Sequence, residues 1–290
     1  MTMSQISTPL NRDQAYALVD AVMERDELAL TASAHEDEAT GEWVFEATCE
    51  MLPDLLAFEE LARATLGGDV DFTITPIDPE VNWVAKSLEG LAPVTAGGFF
   101  VYGSHSAEQV PPVGLTPLHI EAALAFGTGH HETTTGCLEA IEQLLKRRRP
   151  RKMLDVGTGT GVLAIALAKR THRLVVASDI DPIATRTTIE NARDNQAGPQ
   201  IRAITATGLD HRAIAELAPY DLIVANILAG PLVQLAPAIG RAAAPHGTVI
   251  LSGLLASQAA RVATAYAMQH MLLRRRLVRG GWTTLILEKR

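Results

Sequence analysis

The 290 residues predict an α/β protein, a seven-stranded doubly wound sheet preceded by a smaller α+β domain. Three observations carry that expectation. From residue 119 to the end, apolar strand patterns alternate with helical ones and close in a hairpin. Residues 1–80 follow a separate order, β-α-β-β-α-β. Between the two lies a stretch rich in proline and glycine, the composition of a linker.

The first domain starts with a short strand, Gln5 to Thr8. Asn11 to Asp26 then places Ala15, Leu18, Val19 and Val22 on one helical face. A strand over Leu28 to Ser33 precedes another in which Trp43, Phe45, Ala47 and Cys49 alternate with polar or solvent-facing residues. Asp54 to Leu66 is helical and stops at Gly67-Gly68. Val70, Phe72 and Ile74 alternate with Asp71, Thr73 and Thr75 as a last strand before Pro76. The order is the ferredoxin-like one, and it contains no cluster of catalytic side chains, so this domain reads as a recognition module. Residues 81–118 follow as a hinge, with Pro93, Pro111, Pro112, Pro117 and the Gly97-Gly98 pair, and some extended structure from Phe99 to Tyr102.

The second domain spans 119–290, with strands expected at 153–157, 173–178, 201–205, 220–226, 248–253, 271–278 and 283–288. Helices separate the first six, and Gly280-Gly281 turns the last two into a hairpin. Hydrophobic content of 47% excludes a disordered chain. No apolar run reaches the roughly 18 residues of a membrane span, and the first residues lack a charged-then-apolar leader, so the chain reads as cytoplasmic. Cys49 and Cys137, without metal-ligand spacing, read as core thiols of a reducing compartment. A net charge of −8 argues against general nucleic-acid binding and leaves room for a basic protein partner. The run Lys146 to Lys152 opposes that balance; it reads as a solvated loop or as a nucleic-acid or ribosome contact.

The chemistry concentrates at Met153 to Gly161, MLDVGTGTG. A strand carries Asp155, and glycines follow at 157, 159 and 161, where a ligand must approach the backbone closely. The dinucleotide fingerprint would need a third glycine at the position of Val162. Asp155 is placed to hold a cofactor's amino end or to support the loop, and Gly157 and Gly159 form the turn. Asp179 ends the second strand at the spacing, about 20 residues past the glycine loop, at which an acid receives ribose hydroxyls. Asp181 precedes Pro182 and reads as a helix cap.

Asn226 ends the fourth strand, on the side where ligands bind in such sheets. Two readings stand: an amide oxygen offered to an amine nucleophile, or a residue tolerating a tight turn. Upstream, the segment Ala125 to Thr134 is rich in glycine and hydroxyls, with Thr133 or Thr134 as a possible helix cap. His130 and His131 do not make a zinc helix, because H-E-x-x-H needs histidine where Thr135 stands, so no metal is expected.

The compact glycine turn with its upstream acid resembles motif I of the class I S-adenosylmethionine-dependent methyltransferases. AFGTGHHETT, LDVGTGTGVLAIA, SDIDPIA, VANILAGPLVQLAP and LSGLLASQA, in this order, resemble the PrmA family of ribosomal protein L-eleven methyltransferases over residues 120–270. The resemblance implies a class I methyltransferase sheet, S-adenosylmethionine as cofactor and a glycine-threonine loop, including Phe126 and Gly127, that folds over it. It further implies Thr134, Gly157, Asp179 and Asn226 as cofactor contacts. The N-terminal domain would grip ribosomal protein L-eleven, while the hinge lets the catalytic domain reach several lysine or N-terminal amines. The family pattern has Pro-Gly before the A-F-G-T-G motif, where this chain has Ala123-Leu124. Asn226 differs from the N-P-P-Y loop of other amine methyltransferases, since Ile227-Leu228 replace the prolines.

The expected function is therefore protein N-methylation by a monomer, without a membrane or a sequence-specific nucleic acid. The alternatives are a methyltransferase of another substrate, such as the electron-transfer flavoprotein β subunit, a nucleic acid or a small-molecule amine, a nicotinamide oxidoreductase, or a binding module without activity.

Overall fold

A computed structural model describes residues 4–23, 25, 28–36, 42–49, 51–76, 93–104, 114–120 and 131–290. Its contacts divide the chain into two compact units, one holding the described residues up to 76 and the other those from 93 onward.

The N-terminal unit is built from β1 (Ser4–Leu10), α1 (Arg12–Met23), β2 (Thr31–Glu36), β3 (Trp43–Cys49), α2 (Leu55–Leu66) and β4 (Thr73–Pro76). The strands lie in the order β2-β3-β1-β4, all antiparallel, which is the ferredoxin-like sheet. Ile6, Leu18, Phe45 and Phe58 are completely buried between sheet and helices. Helix α2 starts at Asp54, whose carboxylate accepts from the Ala57 N–H at 3.2 Å, and ends at Gly67 in the left-handed region.

Two strands begin later than expected. β2 begins at Thr31 because Leu28–Leu30 turn instead, with the Leu28 N–H bonded to Arg25 O and the Leu30 N–H to Thr48 O. β4 begins at Thr73 because its ladder with β1 runs only from Ser4↔Pro76 to Ser7↔Thr73. Phe72 still joins the core, edge-on to Phe45 at 6.2 Å and Phe58 at 5.9 Å.

The second unit opens with a small sheet, β5 (Val94–Ala96), β6 (Phe99–Tyr102) and β7 (Thr116–His119). The described part of the segment read as a hinge therefore carries packed structure: Phe99 and Leu118 are fully buried in the same apolar cluster as Cys137 and Ile141. Residues 81–92 and 105–113 of that segment lie outside the described residues.

Helix α3 (His131–Leu145) leads to the large sheet: β8 (Met153–Val156), α4 (Val162–Thr171), β9 (Val175–Asp179), α5 (Pro182–Asp194), β10 (Ile201–Thr205), α6 (Arg212–Ala215), β11 (Tyr220–Asn226), α7 (Ala229–Ala242), β12 (Ala243–Leu255), α8 (Ala259–Ala267), β13 (Met271–Arg279) and β14 (Trp282–Lys289). The seven strands run β10-β9-β8-β11-β12-β14-β13. β10 to β12 are parallel; β14 is antiparallel to both of its neighbours. Gly280 and Gly281, both with positive φ, form the hairpin turn that allows this. Two cores cover the two faces. Leu154 and Val156 pack with α7 and α8 on one side, while Met153 packs with α3 and α4 on the other.

From β8 the chain winds outward to β10, then returns to continue from β11 in the opposite direction. The switch point falls between β8 and β11, and it opens a crevice beyond their carboxyl ends. The glycine loop leaves one of those strands and Asn226 ends the other. None of the described helices is long and apolar enough to cross a membrane.

Candidate active site

Asp155 is the penultimate residue of β8 and only 1% exposed. One of its oxygens, Oδ2, accepts from the Thr158 hydroxyl at 2.8 Å and from the Ala164 N–H at 3.1 Å. It therefore ties the glycine loop to the first turn of α4. Its other oxygen, Oδ1, is buried without a partner. Burial pushes the Asp155 carboxyl up to about 7, against the pull of the Thr158 and Ala164 hydrogen bonds, and nearby Asp179 adds to the rise.

The sign of the resulting linkage is fixed. The folded state keeps a proton that the unfolded chain has already released, so this group costs stability progressively as pH rises from the ordinary carboxylate range to about 7. Asp155→Asn keeps an acceptor for the two donors and removes the titration. Urea unfolding should find the variant gaining on the native protein by about 2 kcal/mol between about pH 5 and pH 8. A constant difference across that range would mean that Asp155 does not titrate there.

Beyond Asp155 the chain turns sharply, with Gly157, Gly159 and Gly161 all at positive φ. A side chain at Gly157 would lie 2.2 Å from Ile227 Cγ2, so the loop after β11 sits directly on the glycine turn. The Gly157 and Thr158 N–H groups donate to Ser178 O at 2.8 and 3.0 Å, fastening the turn to β9. Helix α5 holds it from behind: Thr188 Oγ1 donates to Gly159 O at 3.0 Å and Asn191 Nδ2 to Thr160 O at 2.9 Å.

Asp179, at the end of β9, is half-buried beside this loop. Its Oδ2 accepts from the Gly159 N–H at 2.9 Å and its Oδ1 from the Asp181 N–H at 3.0 Å. A carboxylate oxygen has two lone pairs, so each retains one for a hydroxyl pair. Asp181 caps α5 as expected, its Oδ1 accepting from the Ile183 N–H at 2.7 Å ahead of Pro182.

Asn226 faces this assembly from β11. Its Nδ2 donates to Thr134 Oγ1 at 3.4 Å, a long contact, and its Oδ1 is buried and unpartnered. An amide oxygen left bare in this way costs about 1–3 kcal/mol unless something donates to it. Thr134 reaches the site from α3, inside the first turn: the helix begins at His131, so neither Thr133 nor Thr134 is the cap that the sequence suggested. Phe126 and Gly127 lie outside the described residues, as does His130. The structure thus brings together Thr134, Asp155, Gly157, Gly159, Asp179 and Asn226 at one end of one sheet.

Three residues at this place, Gly253, Thr188 and Asn191, are not singled out by the sequence. Gly253, near the end of β12, has φ +82°, and a side chain there would stand 2.4 Å from the backbone oxygen of Ile227. The Asn226-Ile227 segment is therefore sandwiched between Gly157 and Gly253. For Thr188 and Asn191, polar residues on the buried face of a helix were the available signal. Gly253→Ala should lower stability by about 2–3 kcal/mol, through overlap with fixed backbone and a strained φ. It should also slow catalysis by displacing Asn226, and thermal unfolding with activity assays checks both. A variant as stable and active as the native protein would mean that Ile227 moves freely.

A seven-stranded, mostly parallel sheet ending in an antiparallel hairpin, with a glycine turn and strand-end acid beside the switch point, defines a class I methyltransferase. The family model described as ribosomal protein L11 methyltransferase (PrmA) matches residues 10–290, and the chain belongs to that family. It is 45% identical over 285 residues to the ribosomal protein L11 methyltransferase of Rhizobium meliloti (strain 1021), covering 95% of this chain and 96% of that one. The ribosomal protein L11 methyltransferase of Bradyrhizobium diazoefficiens is 46% identical, over 89% of this chain and 88% of its own. A crystal structure of a ribosomal protein L11 methylase from Lactobacillus delbrueckii subsp. bulgaricus superposes with a TM-score of 0.60 at 28% identity, covering 69% of this chain and all of that one.

Proposed function

We propose that this chain transfers methyl groups from S-adenosylmethionine to lysine side-chain or N-terminal amines of ribosomal protein L11. Membership of the family supports the substrate. The observation that carries the chemistry is the buried, unpartnered Oδ1 of Asn226 at the crevice beside the glycine turn.

The residues fit the cofactor. Asp179 keeps a free lone pair on each oxygen for a ribose diol, and the positive-φ glycines bare the backbone beside it. Gly157, Gly159 and Asp179 would hold the nucleoside, Thr134 and Asn226 would border its reactive end, and Asp155 would keep the loop in shape. The resemblance adds Phe126 and Gly127 as the cover. When bound, the cofactor supplies an electrophilic methyl group on a positive sulfur.

What remains for the protein is to present a neutral amine in line with that methyl group. A lysine with a pKa of about 10.4 costs roughly 4 kcal/mol to deprotonate near pH 7.5. Moving the amine out of water lowers that cost. Asn226 Oδ1 then accepts one N–H of the amine, which fixes the direction of its lone pair. No general base is needed if the released proton leaves through water.

Residues 1–80 would recognise the protein substrate, and 119–290 would carry the catalytic chemistry. Supporting this division, the ferredoxin-like unit has its own core and brings none of the residues gathered at the crevice.

The test is direct. The purified protein, given methyl-labelled S-adenosylmethionine and purified ribosomal protein L11, should place label on amines, recovered after hydrolysis as methylated lysine or a methylated N-terminal residue. Label recovered only from another chemical group would sink the reading.

A further inference from the structure

The run Lys146 to Lys152 holds six cations in seven residues, in a chain with a net charge of −8. It lies between α3 and β8, at the amino ends of the strands and therefore at the opposite pole from Asn226. Three clefts meet there and share Arg148.

One cleft, of about 250 Å³, is lined by Arg148, Arg149, Arg170 and Arg173 together with Leu145, Pro150 and Thr171, with no carboxylate in its wall. Two of its arginines are oriented from outside the cleft: Arg170 by Glu142 at 2.6 Å and Arg148 by Glu288 at 2.8 Å. Arg149 and Arg173 are exposed and meet no carboxylate among the described residues. A second cleft continues the surface past Lys146 and Arg147 to Arg274 and Arg275 on β13, with Glu288 in its wall paired to Arg148 and Arg274. In the third, Asp221 Oδ2 accepts from the backbone N–H groups of Arg151 and Lys152 at 2.7 and 3.0 Å.

Concave clefts in series, one walled by arginines alone and the others by arginines that outnumber a single carboxylate, suit a chain of phosphates better than a single anion. A flat bilayer surface cannot enter clefts of this size. An acidic peptide in extended form points its carboxylates alternately to two sides, whereas a nucleic-acid strand carries a charge on every backbone unit. We propose that this arginine-lined pole is a docking surface for the phosphodiester backbone of RNA, separate from the methylation site. The choice of RNA over DNA rests on the proposed ribosomal substrate; the docking surface itself does not.

The experiment uses the full chain and a fluorescent single-stranded RNA of roughly 16 nucleotides. Anisotropy should show binding that weakens steeply between roughly 50 and 200 mM salt. Arg149→Ala combined with Arg173→Ala should weaken binding tenfold or more and make the slope of log K against log salt shallower by about 1.4, two phosphate contacts fewer. Methyl transfer to free ribosomal protein L11 should stay unchanged in the double variant, which separates this inference from the functional one. Native affinity and slope in the variant would overturn the proposal, as would no RNA binding at low salt. Tighter binding to polyglutamate or to phosphatidylserine vesicles would assign the surface to another partner, and tighter binding to DNA of the same sequence would overturn the choice of RNA.

Discussion

Asn226→Ala should slow methyl transfer about a hundredfold at saturating cofactor, equivalent to roughly 3 kcal/mol of transition-state stabilisation. The mechanism is the loss of a bare acceptor at the end of β11, the Oδ1 that would fix the lone pair of the incoming amine. The fold should survive, because among the described residues the amide makes one long side-chain hydrogen bond, to Thr134 at 3.4 Å. Removing an unpartnered buried oxygen relieves a penalty, so stability should hold or rise slightly. Some loss of cofactor affinity is compatible with the resemblance, and single-turnover kinetics at saturating cofactor separates it from the chemical step. A native rate in that measurement would reduce Asn226 to a turn residue.

Asp179→Ala should weaken cofactor binding by about 2–4 kcal/mol, a change of some thirtyfold to several hundredfold in Kd. The loss has two sources. The carboxylate that would receive the ribose hydroxyls disappears, and so does the acceptor for the Gly159 N–H, which helps to hold the glycine turn in its positive-φ shape. Asp179→Asn separates them: an amide can still accept from Gly159, so the turn is kept while the charge is removed. Calorimetry with S-adenosylhomocysteine should place the asparagine variant between native and alanine, and NAD should show no binding to any of the three. Unchanged affinity in Asp179→Ala would take Asp179 out of the site.

Much of this was legible because the elements concerned are dictated locally. Buried parallel strands read as short apolar runs, and each of the seven expected in the second unit is present within a few residues. The largest discrepancy is β12, which starts at Ala243 and not 248; its first residues pair with β11 only at Tyr220, across an irregularity that no periodicity announces. The glycine loop and the strand-end place of Asp179 beside it were legible because a tight turn and an acid at the end of the next strand need particular residue types at a particular spacing. Contacts between distant segments were not. Asp155 looks from the sequence like either a ligand residue or a support, and only the approach of α4 selects the Ala164 N–H as its partner. Gly253 looks like any glycine near a strand end until Ile227 is found against it. Prolines led the stretch 81–118 to be read as a hinge, yet in its described part Phe99 and Leu118 bury themselves against α3 and α4, a gain in apolar burial that local composition does not encode.

The bound methyl donor is expected to deliver its methyl group to amines of one ribosomal protein. The most direct measurement supplies methyl-labelled S-adenosylmethionine and the purified enzyme to an extract of cells lacking this activity, then resolves the labelled products. A single labelled band, identified as ribosomal protein L11 and absent when Asn226→Ala replaces the native enzyme, is the expected result. Label entering a different protein, a nucleic acid or a small molecule, with ribosomal protein L11 present and unlabelled, would contradict it.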